Sequence, residues 1–517
     1  MNLFDYLVEG KPAEAIALLT LKRQHTYGEV RANALAIARY LVGAGYKKGD
    51  RALLIADSGM FWVSAYLGII RAGLVCVPLP PRLDAAELEY IHDVTEPALA
   101  CVEAKYLTAA SGKLGDLPLF TDQAFNGRPF GDQAAPQVAQ SLAGIEIPAS
   151  TNDSMNSLPE VAADDLAALM FTSGSTGRPR GVMVTGRNIM ANTDSIVEYL
   201  ELTARDRIMA VLPFHYCFGA SLLHTHLRAG GGVVIDSRFM YPEKVLQRMR
   251  QTACTGFAGV PSHFQILLRK SGLTKFSFPD LRYVQQAGGP LAPAFIRELR
   301  QALPNTKLFV MYGQTEATAR LSYLPPESLD TKLGSVGKGI PGVKLTVRDE
   351  SGNRVAPGQI GEIVAEGHNV TPGYWRDEKE TAQHFRNGKL YTGDLATVDD
   401  EGFIFIVDRA KDFLKCGGKR VSCRQLENIL LEHSELLEAA IVGIPDDVLG
   451  EAAVAYIVQR DPKAQLPIEQ LTLYCKERMP LPVVPKRFVI LGSLPKNNSG
   501  KVMKPLLKEN EALAGVR

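Results

Sequence analysis

The sequence predicts an α/β protein of several domains, because short apolar strands alternate with helices of about a dozen residues along most of the chain. Between residues 333 and 405 the pattern changes to short runs punctuated by glycine, which indicate antiparallel strands in a small barrel or sheet. A compact α+β pattern follows residue 409. A chain of 517 residues is also too long for one hydrophobic core, so we expect about three domains.

The first α/β unit contains a capping box. Thr26 and Glu29 have the Thr-x-x-Glu spacing in which each side chain bonds the backbone of the other residue, and the helix that they open is predicted to reach Gly45. The next elements of this unit are predicted as a strand over 51–56, a helix over 60–71 and a strand over 74–78.

The second α/β unit follows residue 200 with the same alternation. Its strands are predicted at 208–212, 233–236, 256–260, 283–287 and 307–311, with helices between most of them. Between the two units, residues 112–159 are rich in Gly, Pro, Ser, Asp and Asn, and we predict a surface loop there.

Charge and cysteine usage exclude several classes of protein. The 57 basic and 56 acidic side chains nearly cancel, so neither a nucleic acid nor an anionic membrane is indicated as a partner. The seven cysteines are scattered and form no Cys-x-x-Cys pair, which is typical of reduced thiols in a cytosol. No apolar run is long enough to span a membrane, and we expect a cytoplasmic protein.

Residues 170–182 follow an apolar strand pattern and combine hydroxyls, glycines and two cations. Glycines allow backbone N–H groups to close on an anion, and hydroxyls and guanidinium groups add donors, so this segment predicts a loop that grips the phosphates of a nucleotide. The alternative is an ordinary Ser/Gly hairpin. The donors are Thr172, Ser173, Ser175, Thr176, Arg178 and Arg180.

Three further segments carry residues suited to nucleotide chemistry. Thr315 and Glu316 follow a strand, where a hydroxyl could contact phosphate and a carboxylate could bind Mg²⁺. Asp394 lies in a glycine turn and could accept both ribose hydroxyls, and Lys501 places a cation near the C-terminus. Taken singly, the carboxylates could equally be solvated turn residues, and the lysine a surface residue.

Taken in order, five segments resemble the core motifs of the AMP-forming adenylating superfamily, which includes acyl- and aryl-CoA synthetases, peptide-synthetase adenylation domains and beetle luciferases. They are Thr-Ser-Gly-Ser-Thr-Gly-Arg-Pro-Arg-Gly (172–181), Tyr-Gly-Gln-Thr-Glu (312–316), Tyr-Thr-Gly-Asp (391–394), Asp-Arg-Ala-Lys-Asp (408–412) and Pro-Lys-Asn-Asn-Ser-Gly-Lys (495–501). The resemblance implies two doubly wound α/β subdomains and a distorted β-barrel over residues 1–407. It also implies a hinge over 408–411, with Lys411 at the hinge position, and a small mobile α+β domain over 412–517.

The resemblance also implies the reaction. A carboxylic acid and ATP form an acyl-adenylate and pyrophosphate, and the acyl group then passes to a thiol, with Mg²⁺ as the metal. Such an enzyme would be a monomer or a homodimer. We expect coenzyme A as the acceptor, with the phosphopantetheine of a carrier protein as the alternative. Two alternatives come from other functional classes: a luciferase-like oxygenase and an inactive nucleotide-binding module.

Site roles are implied residue by residue. Glu316 would bind Mg²⁺, Asp394 and Arg409 the ribose, and Lys501 would stabilise charge on the reacting carboxylate and α-phosphate. After adenylation, the face carrying Lys415, with Gly417 and Gly418 lining a tunnel for the thiol, would turn towards the adenylate. The other nucleotide contacts would be Thr172, Ser173, Gly174, Ser175, Thr176, Gly177, Arg180, Gly288, Gly289, Tyr312, Gly313, Gln314 and Thr315, of which Thr315 contacts the α-phosphate.

The acid pocket is predicted around Pro-Phe-His-Tyr-Cys-Phe-Gly (213–219), where His215 matches the residue that gates the carboxylate. Members that activate amino acids usually have aspartate at the next position, and aryl members of siderophore pathways have asparagine, but this chain has Tyr216. With Phe218, Phe257 and Val260 nearby, we expect a largely apolar pocket for an uncharged organic acid. Arg180 stands where the family most often has lysine, which replaces a point charge by a planar fork.

Overall fold

The computed structural model describes residues 1–107, 114, 116–123, 138–141, 158–173, 179–409, 413–416, 419–463, 466–496, 500 and 502–514. The helices of these ranges are α1 (Leu3–Val8), α2 (Tyr27–Gly43), α3 (Met60–Arg71), α4 (Ala85–Thr95), α5 (Gly186–Leu200), α6 (Cys217–Ala229), α7 (Pro242–Gln251), α8 (Pro261–Lys270), α9 (Pro293–Ala302), α10 (Glu378–His384), α11 (Cys423–Leu431), α12 (Ile468–Lys476) and α13 (Lys504–Ala514). None of them combines the length and the apolar character that a membrane crossing requires.

The strands of the first half are β1 (Ile16–Leu19), β2 (Gln24–Thr26), β3 (Arg51–Ile55), β4 (Val75–Leu79), β5 (Leu99–Val102), β6 (Leu119–Thr121), β7 (Val138–Ser141), β8 (Leu166–Ser173), β9 (Pro179–Thr185), β10 (Arg207–Ala210), β11 (Gly232–Ile235) and β12 (Gly256–Gly259). Those of the second half are β13 (Tyr283–Gln286), β14 (Lys307–Tyr312), β15 (Ser322–Leu324), β16 (Lys338–Gly339), β17 (Lys344–Arg348), β18 (Gly361–Glu366), β19 (Gly373–Tyr374), β20 (Phe385–Arg386), β21 (Lys389–Val398), β22 (Ile404–Arg409), β23 (Phe413–Cys416), β24 (Lys419–Ser422), β25 (Leu436–Asp446), β26 (Gly450–Gln459) and β27 (Arg487–Ile490).

Two large sheets form the first two units. One has the order β19-β9-β8-β4-β3-β5-β6-β7, and the other has the order β16-β15-β14-β13-β12-β10-β11-β1-β2. Their inner strands are parallel, and antiparallel pairs lie at the edges. A buried apolar core lies between the sheets, in which the Trp62 ring of α3 packs edge-on against Phe214 at 5.3 Å between centroids.

The remaining strands form two smaller sheets. β17, β18, β21, β20 and β22 make a five-stranded antiparallel sheet, as the glycine-punctuated pattern of residues 333–405 predicts. β24, β23, β26, β25 and β27 make the sheet of the C-terminal domain, which has its own apolar core against α11 and α12. The predicted fold class, a large N-terminal α/β domain with a small α+β C-terminal domain, is confirmed. The boundary at the predicted hinge remains a prediction, because residues 410–412 lie outside the described ranges.

Several elements match the prediction closely. The capping box exists as predicted: Thr26 accepts from the backbone N–H of Glu29, whose carboxylate accepts in turn from the backbone N–H of Thr26. The predicted surface loop over 112–159 was wrong where that segment is described, because β6 and β7 extend the first sheet there in parallel pairing.

Candidate active site

The predicted site residues gather where the strand order of the second sheet reverses. The chain winds outward in one direction through β10 and β11 and in the other through β12, β13 and β14. In such sheets a crevice opens beyond the carboxyl ends of the strands at the reversal. His215, Val260, Gly288 and Glu316 each follow one of these strands within a few residues, so the topology brings together side chains that are far apart in sequence.

The phosphate segment is a pair of antiparallel strands. Thr172 of β8 lies opposite Arg180 of β9, and residues 174–178, which carry Gly174, Ser175, Thr176 and Gly177, lie outside the described ranges. The Arg180 guanidinium is mostly buried, with Nη1 at 2.8 Å from Glu380 Oε2 and Nε at 3.7 Å from Asp377 Oδ2. It therefore lies against the first turn of α10, and the guanidinium carbon is 5.7 Å from the centre of the Tyr374 ring.

Tyr374 connects the phosphate strands to the predicted metal ligand. Its hydroxyl donates to Glu316 Oε1 at 2.9 Å. Burial, together with the neighbouring Glu316 carboxylate, raises the pKa of the Tyr374 hydroxyl, so this hydroxyl stays protonated and remains a donor. Thr371 donates its hydroxyl to the backbone carbonyl of Glu316 at 2.9 Å. The Glu316 carboxylate is thus held beside Arg180 and the phosphate strands.

Thr315 lies on the opposite side of the same turn. Its side chain is buried, and its hydroxyl donates to Sγ of Cys217, the first residue of α6, at 3.3 Å. Burial raises the pKa of the Cys217 thiol, which is therefore neutral. The contact brings the start of α6 against Thr315, the residue predicted to bind the α-phosphate.

The predicted nucleoside contacts also converge. The Tyr312 hydroxyl at the end of β14 donates to Asp394 Oδ2 at 2.7 Å, and Asp394 of β21 pairs in register with Arg409 of β22. The Asp394 side chain is 5% exposed, and the described part of Arg409 is its backbone. Tyr312, Asp394 and Arg409 therefore meet, although they were predicted from three separate motifs.

Two glycines at the site are required by their surroundings. An ideal Cβ on Gly313 would lie 1.9 Å from the backbone oxygen of Ala319, and Gln314 continues this turn. Gly288 has φ of +83°, and a Cβ there would lie 2.9 Å from Val260 Cγ1. The carbonyl of Gly289 accepts from the Gln286 side chain at 2.8 Å. Side-chain-free backbone is therefore present at these three predicted nucleotide contacts, Gly288, Gly289 and Gly313.

His215 lies at the carboxyl end of β10, opposite the end of the first sheet. Burial lowers the pKa of His215 to about 4, and the nearby Asp57 raises it less. The backbone N–H of Phe214, its neighbour, donates to the Ser58 hydroxyl at 3.0 Å. His215 is thus a neutral imidazole near pH 7, which suits a gating group and does not supply a permanent cation.

The C-terminal domain reaches this crevice through the residue that precedes Lys501. An ideal Cβ on Gly500 would lie 3.1 Å from Val260 Cγ2 and 3.5 Å from the Ser262 hydroxyl, and Val260 also touches the Gly288 position. Lys501, Lys411, Gly417 and Gly418 lie outside the described ranges. Lys415 is exposed on β23, where its backbone N–H donates to Glu451, and no contact with the crevice is described for it.

Of the residues predicted to line the acid pocket, Tyr216 and Val260 both lie beside Gly288, and Phe218 follows Tyr216 at the start of α6. An ideal Cβ on Gly288 would lie 3.1 Å from the Tyr216 hydroxyl, and burial raises the pKa of that hydroxyl. The ring of Phe257, also predicted to line the pocket, packs against Phe239 and Phe264 in the core on the other face of β12. Side chains alternate along a strand, so Phe257 and the crevice lie on opposite faces.

Sequence reasoning missed three residues of the site. Tyr374 holds Glu316, as described above. Arg424, in the first turn of α11, donates to the carbonyl of Ile406 at 3.2 Å and lies in the field of Asp408 and Asp394. Arg320 is buried beside Phe218, with its guanidinium carbon 4.1 Å from the ring centre. None of the three lies in one of the five motifs, although Arg320 closely follows the Tyr-Gly-Gln-Thr-Glu segment.

A metal at this site would depend on the nucleotide. Within the described ranges, no cluster of three or more His, Cys, Asp or Glu side chains could hold a metal ion by itself. Mg²⁺ usually binds through one or two carboxylates together with substrate phosphates and water. The single carboxylate of Glu316, oriented by Tyr374 next to the phosphate strands, fits that mode of binding.

Comparison with known proteins agrees with this geometry. A family model described as AMP-binding enzyme matches residues 4–375, and one described as AMP-binding enzyme C-terminal domain matches residues 425–501. The long-chain-fatty-acid–CoA ligase of Salmonella typhimurium is 28% identical, with 98% of this chain and 94% of that protein covered. The 2-succinylbenzoate–CoA ligase of Bacillus licheniformis is 29% identical, with 95% of this chain and 96% of that protein covered.

Solved structures show the same similarity over the whole chain. ATP-bound MatB from Rhodopseudomonas palustris has a TM-score of 0.85 at 29% identity and covers 99% of both chains. The o-succinylbenzoate CoA synthetase MenE from Bacillus subtilis, in complex with its acyl-adenylate intermediate, has a TM-score of 0.83 at 26% identity and covers 98% of both chains. With both family models matched in order along the sequence, this chain belongs to the AMP-binding enzyme family.

Proposed function

We propose that the protein joins a carboxylic acid to ATP as an acyl-adenylate and then transfers the acyl group to coenzyme A. One observation carries the proposal: the Tyr312–Asp394 pair and the Glu316–Tyr374 pair lie at one crevice, and Gly500 of the C-terminal domain reaches the same crevice. These are the predicted nucleoside site, the predicted metal ligand and the neighbour of the predicted catalytic lysine.

The first step needs an electrophilic phosphorus and a stabilised leaving group. A carboxylate oxygen of the acid attacks the α-phosphorus of ATP, and the bond from that phosphorus to the bridging oxygen of pyrophosphate breaks. In this proposal Thr315 binds the α-phosphate and Asp394 the ribose, while Lys501 stabilises the charge that develops at the transition state. Mg²⁺ held by Glu316 would neutralise charge on the phosphates.

The phosphate strands would hold the pyrophosphate portion. The Arg180 guanidinium forms ion pairs with Glu380 and Asp377, which hold it beside α10. In the proposed role, the guanidinium binds the pyrophosphate portion from this position. The planar guanidinium favours two parallel hydrogen bonds to a pair of phosphate oxygens, whereas a lysine ammonium would bind as a single point charge. Thr172 lies directly opposite it in the ladder.

The second step transfers the acyl group to a thiol. The sulfur attacks the acyl carbon, the bond from carbon to the AMP oxygen breaks, and the thiol proton is lost to solvent or a base. The similarity to a long-chain-fatty-acid–CoA ligase and to a 2-succinylbenzoate–CoA ligase supports coenzyme A as the acceptor. In this proposal Lys415, Gly417 and Gly418 face the adenylate during transfer.

ATP–pyrophosphate exchange across a panel of carboxylic acids tests the first step, and thioester formation tests the second. We expect acid-dependent exchange, and acyl-CoA when coenzyme A is added. If a thioester forms only on a phosphopantetheinyl carrier protein, coenzyme A is contradicted as the acceptor, and the proposed adenylation step still stands. Absence of exchange with every acid would contradict the proposal as a whole.

We also propose that the protein acts in the cytoplasm as a monomer or a homodimer. All seven cysteines are free thiols in the structure, which supports a reducing compartment. Fractionation of the native host and light scattering of the purified protein test the two statements.

A further inference from the structure

Arg320 is a buried cation beside the acid pocket. It lies between the Glu316 turn and β15, and its side chain is 1% exposed. The Asn192 and Asn369 side chains each donate to its backbone carbonyl at 2.9 Å, so the backbone at this position is held from two sides.

Among the described residues, the guanidinium contacts only neutral groups, including the Tyr199 hydroxyl, with which it shares a hydrogen bond. Its Nε donates to Met311 Sδ at 3.2 Å, its Nη2 donates to Gln285 Oε1 at 3.3 Å, and its carbon lies 4.1 Å from the centre of the Phe218 ring. In the described part of the chain, no Asp or Glu carboxylate lies within ion-pairing distance of it. Burial of a charge without a counter-ion is strongly unfavourable, and proteins keep such a group where a ligand supplies the opposite charge.

A second buried donor lies next to Arg320. Nε2 of Gln285 is buried and has no hydrogen-bond partner, although the side chain is 1% exposed and its oxygen accepts from Arg320. Buried amide donors are normally paired, so an unpaired one beside an uncompensated cation indicates a missing acceptor. Arg320 and Gln285 therefore both present N–H donors to a hydrogen-bond acceptor.

This position is close to the reacting end of the nucleotide. Phe218 and Cys217 are neighbours at the start of α6, and Cys217 contacts Thr315. Burial raises the pKa of the Cys217 thiol and of the Tyr216 hydroxyl, and the nearby Arg320 guanidinium lowers both to a smaller extent. The cation thus acts on the same side chains that bound the predicted acid pocket.

We propose that Arg320, assisted by Gln285, binds a second carboxylate of the acid, so that the substrate is a short dicarboxylic acid. The inference rests on the proposed function and replaces the expected uncharged acid. Arg320 would be a specificity-determining residue, because its charge is compensated only when the distal group of the substrate is anionic. The short distance follows from the chain of contacts from Arg320 through Phe218 and Cys217 to Thr315.

The wild-type enzyme gives the first test. ATP–pyrophosphate exchange is measured with the α,ω-dicarboxylic acids from malonate to adipate and with monocarboxylic acids of matched length. We expect at least one diacid to exceed its matched monoacid by about 100-fold or more in kcat/KM, because a site built for an acceptor leaves its donors unpaired without one. Monoacids that equal or exceed every diacid would overturn the inference and leave the proposed function standing. No exchange with any acid would overturn both.

The second test is Arg320→Met, which keeps much of the volume and removes the charge. We expect kcat/KM for the preferred diacid to fall by roughly 100-fold or more, with matched monoacids unchanged or improved and ATP binding retained. Arg320→Lys should restore part of the diacid activity. Arg300→Met, at an exposed position, is the matched control and should leave the preference unchanged. A diacid preference that persists in Arg320→Met would overturn the inference, and if that variant fails to fold the wild-type panel still decides.

Discussion

The hydrogen bond from the Tyr374 hydroxyl to Glu316 orients the side chain that we propose as the metal ligand. Loss of a partner that orients a metal ligand typically lowers metal affinity 10- to 100-fold. We therefore expect Tyr374→Phe, which removes only the hydroxyl, to raise the Mg²⁺ concentration for half-maximal exchange by about tenfold or more. Titration of Mg²⁺ at saturating ATP measures this.

Glu316→Gln should raise the Mg²⁺ requirement further, because it removes the charge that binds the ion. Tyr241→Phe provides a matched control, since Tyr241 is exposed and distant in sequence from the metal ligand. An unchanged Mg²⁺ dependence in both Glu316→Gln and Tyr374→Phe would contradict the assigned role of Glu316.

Buried histidines make stability depend on pH. Burial lowers the pKa of His226 from 6.5 to about 4, and the Tyr283 hydroxyl lies 2.9 Å from its Nε2. Between these two pKa values the unfolded chain binds more protons than the folded one, so stability falls as pH falls from 6.5 towards 4 and is unaffected above 6.5. His226 should contribute a slope of at most about 1.4 kcal/mol per pH unit.

The variant His226→Gln removes that titration. Urea unfolding at pH 7, 6 and 5, run in parallel with the wild type, should show a smaller loss of unfolding free energy on acidification in the variant. Identical slopes for the two proteins would show that His226 is not held neutral in the folded state.

At the same scale, the sequence predicted residues within motifs and missed those defined by burial. Tyr312, Thr315, Glu316 and Asp394 were predicted because each belongs to a recognisable sequence motif. The importance of Arg320 depends on its burial, which follows from the packing of α5, α6 and two strand ends and cannot be read from four residues of local sequence. That is why an uncharged acid was expected.

At the scale of elements, the turn after β14 depends on close backbone approach. A Cβ on Gly313 would meet the carbonyl oxygen of Ala319 at 1.9 Å, which is backbone and cannot rotate away. We expect Gly313→Ala to lower the unfolding free energy by about 1–3 kcal/mol and to weaken ATP binding. Thermal unfolding and a nucleotide titration measure the two effects.

Gly43→Ala is the matched control for that substitution. Gly43 is the last residue of α2, and a Cβ there would meet nothing within 4 Å. Alanine favours the helix over glycine, so this variant should be neutral or slightly stabilising. Equal stability of Gly313→Ala and the wild type would contradict the close approach at the turn.

Elements with a clear hydrophobic periodicity or a helix-capping motif were predicted well, and strands at the sheet edges were not. The predicted helix over 60–71 matches α3 at both ends, and the capping box at Thr26 fixes the start of α2. β6 and β7 are short and lie at the edge of the first sheet within a segment rich in turn-forming residues. The face of β12 on which Phe257 lies could not be predicted, because a strand buried on both faces shows no alternation of apolar and polar residues.

At the scale of the whole molecule, the site depends on the position of the C-terminal domain. Asp408 accepts from the Ser422 hydroxyl at 2.9 Å, and Arg424 donates to the carbonyl of Ile406. Arg269 of α8 pairs with Glu298 and also donates to the carbonyl of Leu436 in β25. In this arrangement Gly500, the residue before Lys501, lies against Val260.

Lys501→Ala tests the central claim most directly, with Lys508→Ala, at an exposed position of α13, as the matched control. ATP–pyrophosphate exchange and ATP binding are measured on both variants. We predict that Lys501→Ala lowers acid-dependent exchange by about 100- to 1000-fold, because it removes the cation that stabilises the transition state, and that ATP affinity changes little. Lys508→Ala should behave as the wild type. Exchange at the wild-type rate in Lys501→Ala would contradict the claim that the C-terminal domain delivers the decisive charge to the crevice.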